Sequence, residues 1–338
     1  MKLIRLLLLP IVPVYYLVTW FRNTLYDAGI KTSKSYDFPV VCVGNLSTGG
    51  TGKTPMVEYL IKLLKSEFNL ATLSRGYGRN TKGFLLANDQ ISAKELGDEP
   101  FQFYNAFKEE ILVAVDENRQ EGIDILRALK KQPDIILLDD AFQHRKVKAG
   151  FNILLTTYMQ PYFNDILLPT GNLRESRTGA KRANIIVVTK CPKDLSDSEK
   201  ISIKKQIKAE PNQLICFSSI DYSSHVIAEE KTRPLQSLSK FTLVTGIANA
   251  TPLLTYLTAK KLKYNHLEFK DHHTFTVSDI QRISESELIV TTEKDYMRLK
   301  EADLLKGKLY YLPIVSEIDK ASEFDKKIKD FVRANKRI

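Results

Sequence analysis

The chain has 338 residues, enough for roughly two domains at ~150 residues each, and 43% hydrophobic against 27% charged residues excludes a disordered or collagen-like polymer. Lys and Arg number 50 against 40 Asp and Glu; the resulting charge of +10 suits anionic partners such as nucleotides, phosphorylated substrates or an acidic membrane surface. Cys42, Cys191 and Cys216 form no CxxC pair, which argues against a disulfide framework or thiolate zinc site and for a reducing compartment.

The first element is apolar: Leu6 to Phe21 carries no charge and follows Lys2 and Arg5. A helix over it is ~24 Å long at ~1.5 Å per residue, short of the ~30 Å hydrocarbon core, and Pro10 and Pro13 bend it. It is therefore expected to lie in or dip into a membrane leaflet, with Tyr15, Tyr16 and Trp20 at headgroup level. A buried helix is the alternative; a cleaved signal lacks its small-residue site, because Thr19-Trp20-Phe21 is bulky.

Beyond Asp37, short apolar runs alternate with amphipathic segments, the pattern of an α/β fold with a mostly parallel sheet. Strands are expected at 39–43, 70–73, 111–115, 134–138, 151–155, 185–189, 214–217, 242–245, 288–291 and 309–312, and helices at 54–67, 99–107, 118–130, 196–208, 251–261 and 319–333. Several runs are apolar throughout, as for parallel strands buried on both faces. Residues 158–183, rich in Pro and Gly, read as a long functional loop leading into a second lobe. The expected division is a membrane-associated segment at 1–30, a nucleotide-binding core at 31–182 and a smaller α/β lobe at 183–338 closing over the site.

The strongest chemical signal is the run from Val40 to Thr54, a strand entering a glycine-rich turn that ends in Gly52-Lys53-Thr54 and opens a helix. This is a P-loop pattern, with Ser47 where the strict motif has glycine. Backbone amides of Ser47, Thr48, Gly49, Gly50, Thr51 and Gly52 are expected to cradle ATP phosphates, Lys53 to reach the β/γ-phosphates, and the Thr54 hydroxyl to ligate Mg²⁺. Asp139 and Asp140 follow the apolar run Ile135 to Leu138, which places Asp139 at the carboxyl end of a buried strand as the second metal ligand. Asp140, its neighbour, belongs to the ensuing turn with a distinct job in the reaction.

Several further stretches occur together: GNLSTGGTGKTP (Gly44 to Pro55), SRGYGR (Ser74 to Arg79), GDEP (Gly97 to Pro100), DDAFQHR (Asp139 to Arg145), LPTGNLRE (Leu168 to Glu175), TGIAN (Thr245 to Asn249), DHHTF (Asp271 to Phe275) and TTEKD (Thr291 to Asp295). In this order, and over almost the whole chain, they resemble the tetraacyldisaccharide 4'-kinase family, the lipid A 4'-kinases. The resemblance implies a P-loop kinase at the cytoplasmic face of a bacterial inner membrane, peripheral or monotopic. Such an enzyme moves the γ-phosphate of ATP to the 4'-hydroxyl of an acylated glucosamine disaccharide 1-phosphate.

A hydroxyl attacking phosphorus needs a proton acceptor, for which Asp98 stands at a helix start, where helix capping is its other reading. The resemblance moves Asp98 to catalysis and implies His272 as its partner across a cleft. Arg75, Arg79, Arg119 and Arg174, in or beside these motifs, are expected to hold the ATP phosphates or the substrate's 1-phosphate, His144 to orient the nucleotide or substrate loop, and Glu99, Gln143 and Asn172 to bind substrate. The rival class is a P-loop switch or partitioning ATPase/GTPase, but its second lysine is replaced by Thr48 and its guanine box is approximated only by Thr189-Lys190-Cys191-Pro192, with Asp194 two residues late. No aromatic-interleaved basic stripe points to nucleic acid, and no obligate protein partner is inferred.

Overall fold

In the computed structural model, residues 5–228, 231–271 and 273–336 are described. The strands in chain order are β1 (Val40–Asn45), β2 (Leu70–Ser74), β3 (Leu85–Leu86), β4 (Leu112–Val115), β5 (Ile135–Asp139), β6 (Phe151–Thr157), β7 (Ile185–Cys191) and β8 (Leu214–Tyr222). They continue with β9 (His225–Ile227), β10 (Thr232–Pro234), β11 (Phe241–Thr245), β12 (Tyr264–Glu268), β13 (Ile289–Thr292), β14 (Leu309–Leu312) and β15 (Ile314–Ile318). The helices are α1 (Val12–Asp27), α2 (Lys53–Leu64), α3 (Ala93–Leu96), α4 (Asp98–Phe107), α5 (Arg119–Ala128), α6 (Asp197–Ile207), α7 (Thr251–Ala259), α8 (Val277–Ser284), α9 (Glu293–Leu299) and α10 (Ala321–Asn335).

One sheet runs β15-β8-β7-β6-β1-β5-β2-β4-β3, parallel from β8 to β4 with an antiparallel strand at either edge. β1 and β5 are buried at every residue, as their unbroken apolar runs require. Because β1 lies between β5 and β6, the chain order reverses on either side of it, and the carboxyl end of β1 opens at that switch point. The second sheet runs β10-β9-β14-β13-β11-β12.

The first sheet extends past the expected boundary at 182/183, since β7 and β8 continue it and β15 returns to pair with β8. The loop at 158–183 therefore leads back into the same sheet. Helix α10 follows β15 onto this body because Phe324, Ile328 and Val332, at i, i+4 and i+8, form one apolar stripe. They join Met56, Leu60 and Leu64 of α2 in one core, and burying Phe324 alone contributes about 1.5–3 kcal/mol.

The two lobes share a buried carboxyl pair. Glu58 of α2 accepts a hydrogen bond from Gln102 Nε2 of α4 at 2.8 Å, and Glu293 opens α9 of the second lobe beside them. Burial raises both carboxyls above their ordinary range; Glu58 raises Glu293 further, while Lys62 and the Gln102 amide pull the other way. A folded state with raised carboxyl values holds protons that the unfolded chain has released. This contribution is thus fully present at acid pH and is lost as pH rises from the ordinary carboxylate range through the raised one. Glu58→Gln is expected to flatten the decline of melting temperature between about pH 5 and about pH 8. Parallel wild-type and variant profiles would show that the pair does not titrate in that window.

Candidate active site

The loop from Leu46 to Gly52 joins β1 to α2, and Gly52 caps the helix with a φ of +86°, a left-handed value that glycine adopts without a Cβ penalty. Among the described residues, no acceptor takes the backbone N–H groups of Gly49, Gly50, Thr51 or Gly52. The neighbouring long loop fixes the rim: Thr48 N donates to Asn172 O at 2.8 Å and Arg174 N to Leu46 O at 2.7 Å. Inside it, Asn45 Nδ2 donates to Thr51 Oγ1 at 2.7 Å. Gly44 is required at the end of β1 because a Cβ there would meet Phe142 Cβ at 2.6 Å.

Charged groups gather at this sheet edge. Lys53 Nζ lies 3.8 Å from Asp140 Oδ2, and Arg174 donates to both oxygens of Asp140 and to Asn45 Oδ1. Asp140 has a left-handed φ of +49°, which turns its carboxylate away from the direction of Asp139. These cations lower the Asp140 pKa against its burial, Lys53 first. Asp139 is buried with Oδ1 lacking any hydrogen-bond partner; burial, then the charge of Glu99, raise its pKa. Thr54 Oγ1 donates to Glu99 Oε1 at 3.5 Å, so Thr54, Glu99 and Asp139 share one corner.

Arg119 is buried beneath this cluster, donating to the Asp116 and Glu117 carbonyls, and its Nε has no partner. Burial and then Arg75 lower its pKa. His144 is pushed down to about 4, by burial and then by Arg119, so its imidazole is neutral at pH 7. Gln143 Nε2 donates to Asn45 O at 2.8 Å and Glu175 Oε1 at 3.0 Å, tying the loop after β5 to the long loop.

Arg79 does not join the cluster. Its side chain, 2% exposed, pairs with Glu117 at 2.8 Å and donates to Gly83 O at 2.7 Å, closing its own loop. The Asn172 side chain accepts from Arg5 at 3.0 Å, so it faces the N-terminal segment.

Asp98 reaches across the lobes. It opens α4, whose cap is Gly97 with no side-chain capping bond, so the capping reading of Asp98 fails. Its carboxylate instead accepts from Arg298 Nη2 of α9 at 2.5 Å, and Arg298 Nη1 lies 3.8 Å from Asp295 Oδ1. Asp295 is held in turn by Gly246 N at 2.8 Å and Thr292 Oγ1 at 2.7 Å. The TGIAN and TTEKD stretches thus build a platform for Arg298, a residue the sequence reading missed. Its signal was the three-residue spacing from Asp295, which puts both on one helix face. His272 lies outside the described residues. The adjacent His273 bonds Asp279 at 2.9 Å at the start of α8 and stacks on Phe269.

Helix α1 docks on these loops through its polar residues. Tyr15 OH donates to Arg174 O at 2.9 Å, Arg22 Nη2 to Gln143 O at 2.9 Å and Asn23 Nδ2 to Glu175 Oε2 at 2.9 Å. Tyr15 therefore faces protein rather than headgroups. Ile11, Val14, Leu17, Val18 and Phe21 remain exposed on the other side, Val18 by 63%. No helix among the described residues is long and apolar enough to cross a membrane.

Comparison with known proteins decides the family. The tetraacyldisaccharide-1-P 4'-kinase (LpxK) family profile matches residues 4–333. The chain belongs to this family. It is 49% identical to the tetraacyldisaccharide 4'-kinase of Flavobacterium johnsoniae, covering 99% of both chains, and 44% identical to that of Bacteroides fragilis, covering 94% of this chain and 90% of the relative. The crystal structure of LpxK from Aquifex aeolicus in complex with ATP superposes with a TM-score of 0.79 at 30% identity, over 97% of this chain and 99% of that one. The chain is thus a 4'-kinase with the mixed α/β fold of LpxK.

Proposed function

We propose that the glycine-rich loop is the phosphate-binding loop of this kinase, which transfers the γ-phosphate of ATP to the 4'-hydroxyl of a tetraacyl disaccharide 1-phosphate in lipid A biosynthesis. The observation that carries the reading is the gathering of Lys53, Asp139, Asp140 and Arg174 at the carboxyl end of β1 and β5; Asp98, next in sequence to the Glu99 that bonds Thr54, pairs with Arg298 across the lobes. The loop amides without acceptors fit a triphosphate, and Lys53 supplies charge at the transferred group.

The residues also fit Mg²⁺. Asp139 Oδ1 is a buried oxygen without a partner, in a corner where Glu99 and Asp140 add negative charge, so a cation is the missing counterpart. Among the described residues there is no cluster of three or more His, Cys, Asp or Glu able to hold a metal ion. Mg²⁺ suits such a sparse site, because it takes one or two protein oxygens, here Asp139 and Thr54, together with phosphate oxygens and water. When bound, it neutralises charge on the phosphates.

The rest falls to the protein. Asp98 accepts the 4'-hydroxyl proton as the new O–P bond forms and the bond to the β-phosphate oxygen breaks, and Arg298 fixes the orientation of its carboxylate. Arg174 and Lys53 hold Asp140 at the loop. The outward apolar face of α1 seats the enzyme in the membrane surface, while its inner polar face grips the loops around the site.

The test is transfer of label from [γ-³²P]ATP to the lipid in vesicles, with GTP as comparison and a chain lacking residues 1–22 as a further arm. Full-length protein is expected to label the lipid from ATP. The shortened chain is expected to move toward the soluble fraction and to show a KM for lipid raised more than that for ATP. No ATP-dependent labelling overturns the kinase reading, and an unfolded shortened chain would make α1 structural instead.

A further inference from the structure

Strand β7 ends in an irregular corner at a segment that the reaction has not used. Its register against β8 shifts between Val188 and Cys191, and Lys190 adopts a φ of +57°, a left-handed conformation that costs a non-glycine residue on the order of 1 kcal/mol or more. The corner turns two side chains onto the glycine-rich loop. Thr189 Oγ1 donates to the Thr51 carbonyl at 2.7 Å, and Lys190 Nζ donates to the Gly50 carbonyl at 2.6 Å.

A loop that binds phosphate through its N–H groups must turn its carbonyls the other way, and those carbonyls then need donors of their own. Gly50 and Thr51 find them two strands away, on a backbone bent out of regular geometry to deliver them. Glycine at positions 49, 50 and 52 leaves the loop many alternative conformations, so an external fastening has a large effect on how often the binding form is populated.

We propose that Lys190 is a positioning residue of the ATP site: its ammonium holds the Gly50 carbonyl outward so that the loop amides face the triphosphate, and Thr189 does the same for Thr51. The proposal rests on the reading of this loop as the ATP phosphate site. A charge-assisted hydrogen bond of this kind corresponds to roughly a 10–100-fold change in apparent affinity.

The test uses full-length enzyme, with ATP titrated at saturating lipid and lipid titrated at saturating ATP. Lys190→Met, which keeps the alkyl stem, is expected to raise the KM for ATP about 10–100-fold with kcat within about threefold and the KM for lipid unchanged. Lys190→Arg should recover most of the loss, since a donor and charge are restored. An unchanged KM for ATP in Lys190→Met overturns the proposal. So does an equal loss toward ATP and lipid accompanied by a lower melting temperature, or failure of Lys190→Arg to recover. Thr189→Val gives the same readout should Lys190→Met not fold. Lys53→Ala run alongside separates the two readings: a dead Lys53→Ala with a normal Lys190→Met removes only the role of Lys190, whereas an active Lys53→Ala removes the phosphate-loop reading itself.

Discussion

Lys53→Ala protein is expected to fold, to bind lipid normally, and to transfer phosphate at least about 10³-fold more slowly than wild type at saturating ATP. The size of the effect follows from where the ammonium stands. Lys53 opens α2, is largely enclosed, and lies 3.8 Å from an Asp140 carboxylate that Arg174 already holds from the other side. Asp140 therefore keeps a cationic partner when Lys53 is lost, which spares the fold. The triphosphate does not, because the lost charge acts on the oxygens where negative charge moves as the γ-phosphoryl leaves. Arginine should not substitute well, since a planar fork cannot replace a compact ammonium next to Gly52 and the loop amides. Single-turnover label transfer checks both variants, and a Lys53→Ala rate within tenfold of wild type would end the phosphate-loop reading.

How far the sequence carried depended on whether a signal was local. The ten expected strands and the helices at 54–67, 99–107 and 319–333 correspond to elements within a few residues, because buried parallel strands such as Ile135–Asp139 are written as unbroken apolar runs. The missed strands are of another kind. Thr232–Pro234 is exposed throughout, Leu85–Leu86 has two residues, and Tyr264–Glu268 is an edge strand of mixed polarity. Ile314–Ile318 alternates visibly, but its return to β8, some ninety residues back, is a tertiary choice that no window of sequence contains.

The site divides in the same way. Lys53, Thr54, Asp139 and Asp140 stand in contiguous motifs whose geometry is set by one strand and one turn, so the residue order announces them. Arg79 and Arg174 looked alike in sequence, as arginines within matching motifs. Folding spends the first on Glu117 and brings the second to Asp140, a difference settled by a loop that closes on itself in one case and by pairing with Leu46 in the other. The apolar run around Tyr15 points to headgroups, yet its hydroxyl faces Arg174, because a surface helix has two sides and only the polar one meets the protein. Arg298 is two hundred residues from Asp98, and nothing in either neighbourhood announces the pairing.

That pairing sets the second large effect. Asp98→Asn is expected to lower kcat by about 10²–10⁴-fold with little change in the KM for ATP, because the amide keeps shape and polarity but cannot take the proton from the attacking hydroxyl. The fold should tolerate it, since Gly97 rather than Asp98 caps α4, the amide oxygen can still accept from Arg298, and Asp295 remains beside the guanidinium as its anion. Arg298→Ala should also depress kcat, by leaving the carboxylate without the guanidinium that aims it, although Asp295 stays anchored by Gly246 and Thr292. If Arg298 acts through Asp98, the double variant is little slower than Asp98→Asn alone, because a residue that positions a base has nothing left to position once the base is gone. Multiplicative losses would instead give Arg298 its own contact with the transferred phosphate. An Asp98→Asn enzyme with normal kcat would leave the proton acceptor to be found among the remaining carboxylates of the cleft, Asp140 first, since it stands 3.8 Å from Lys53 at the loop.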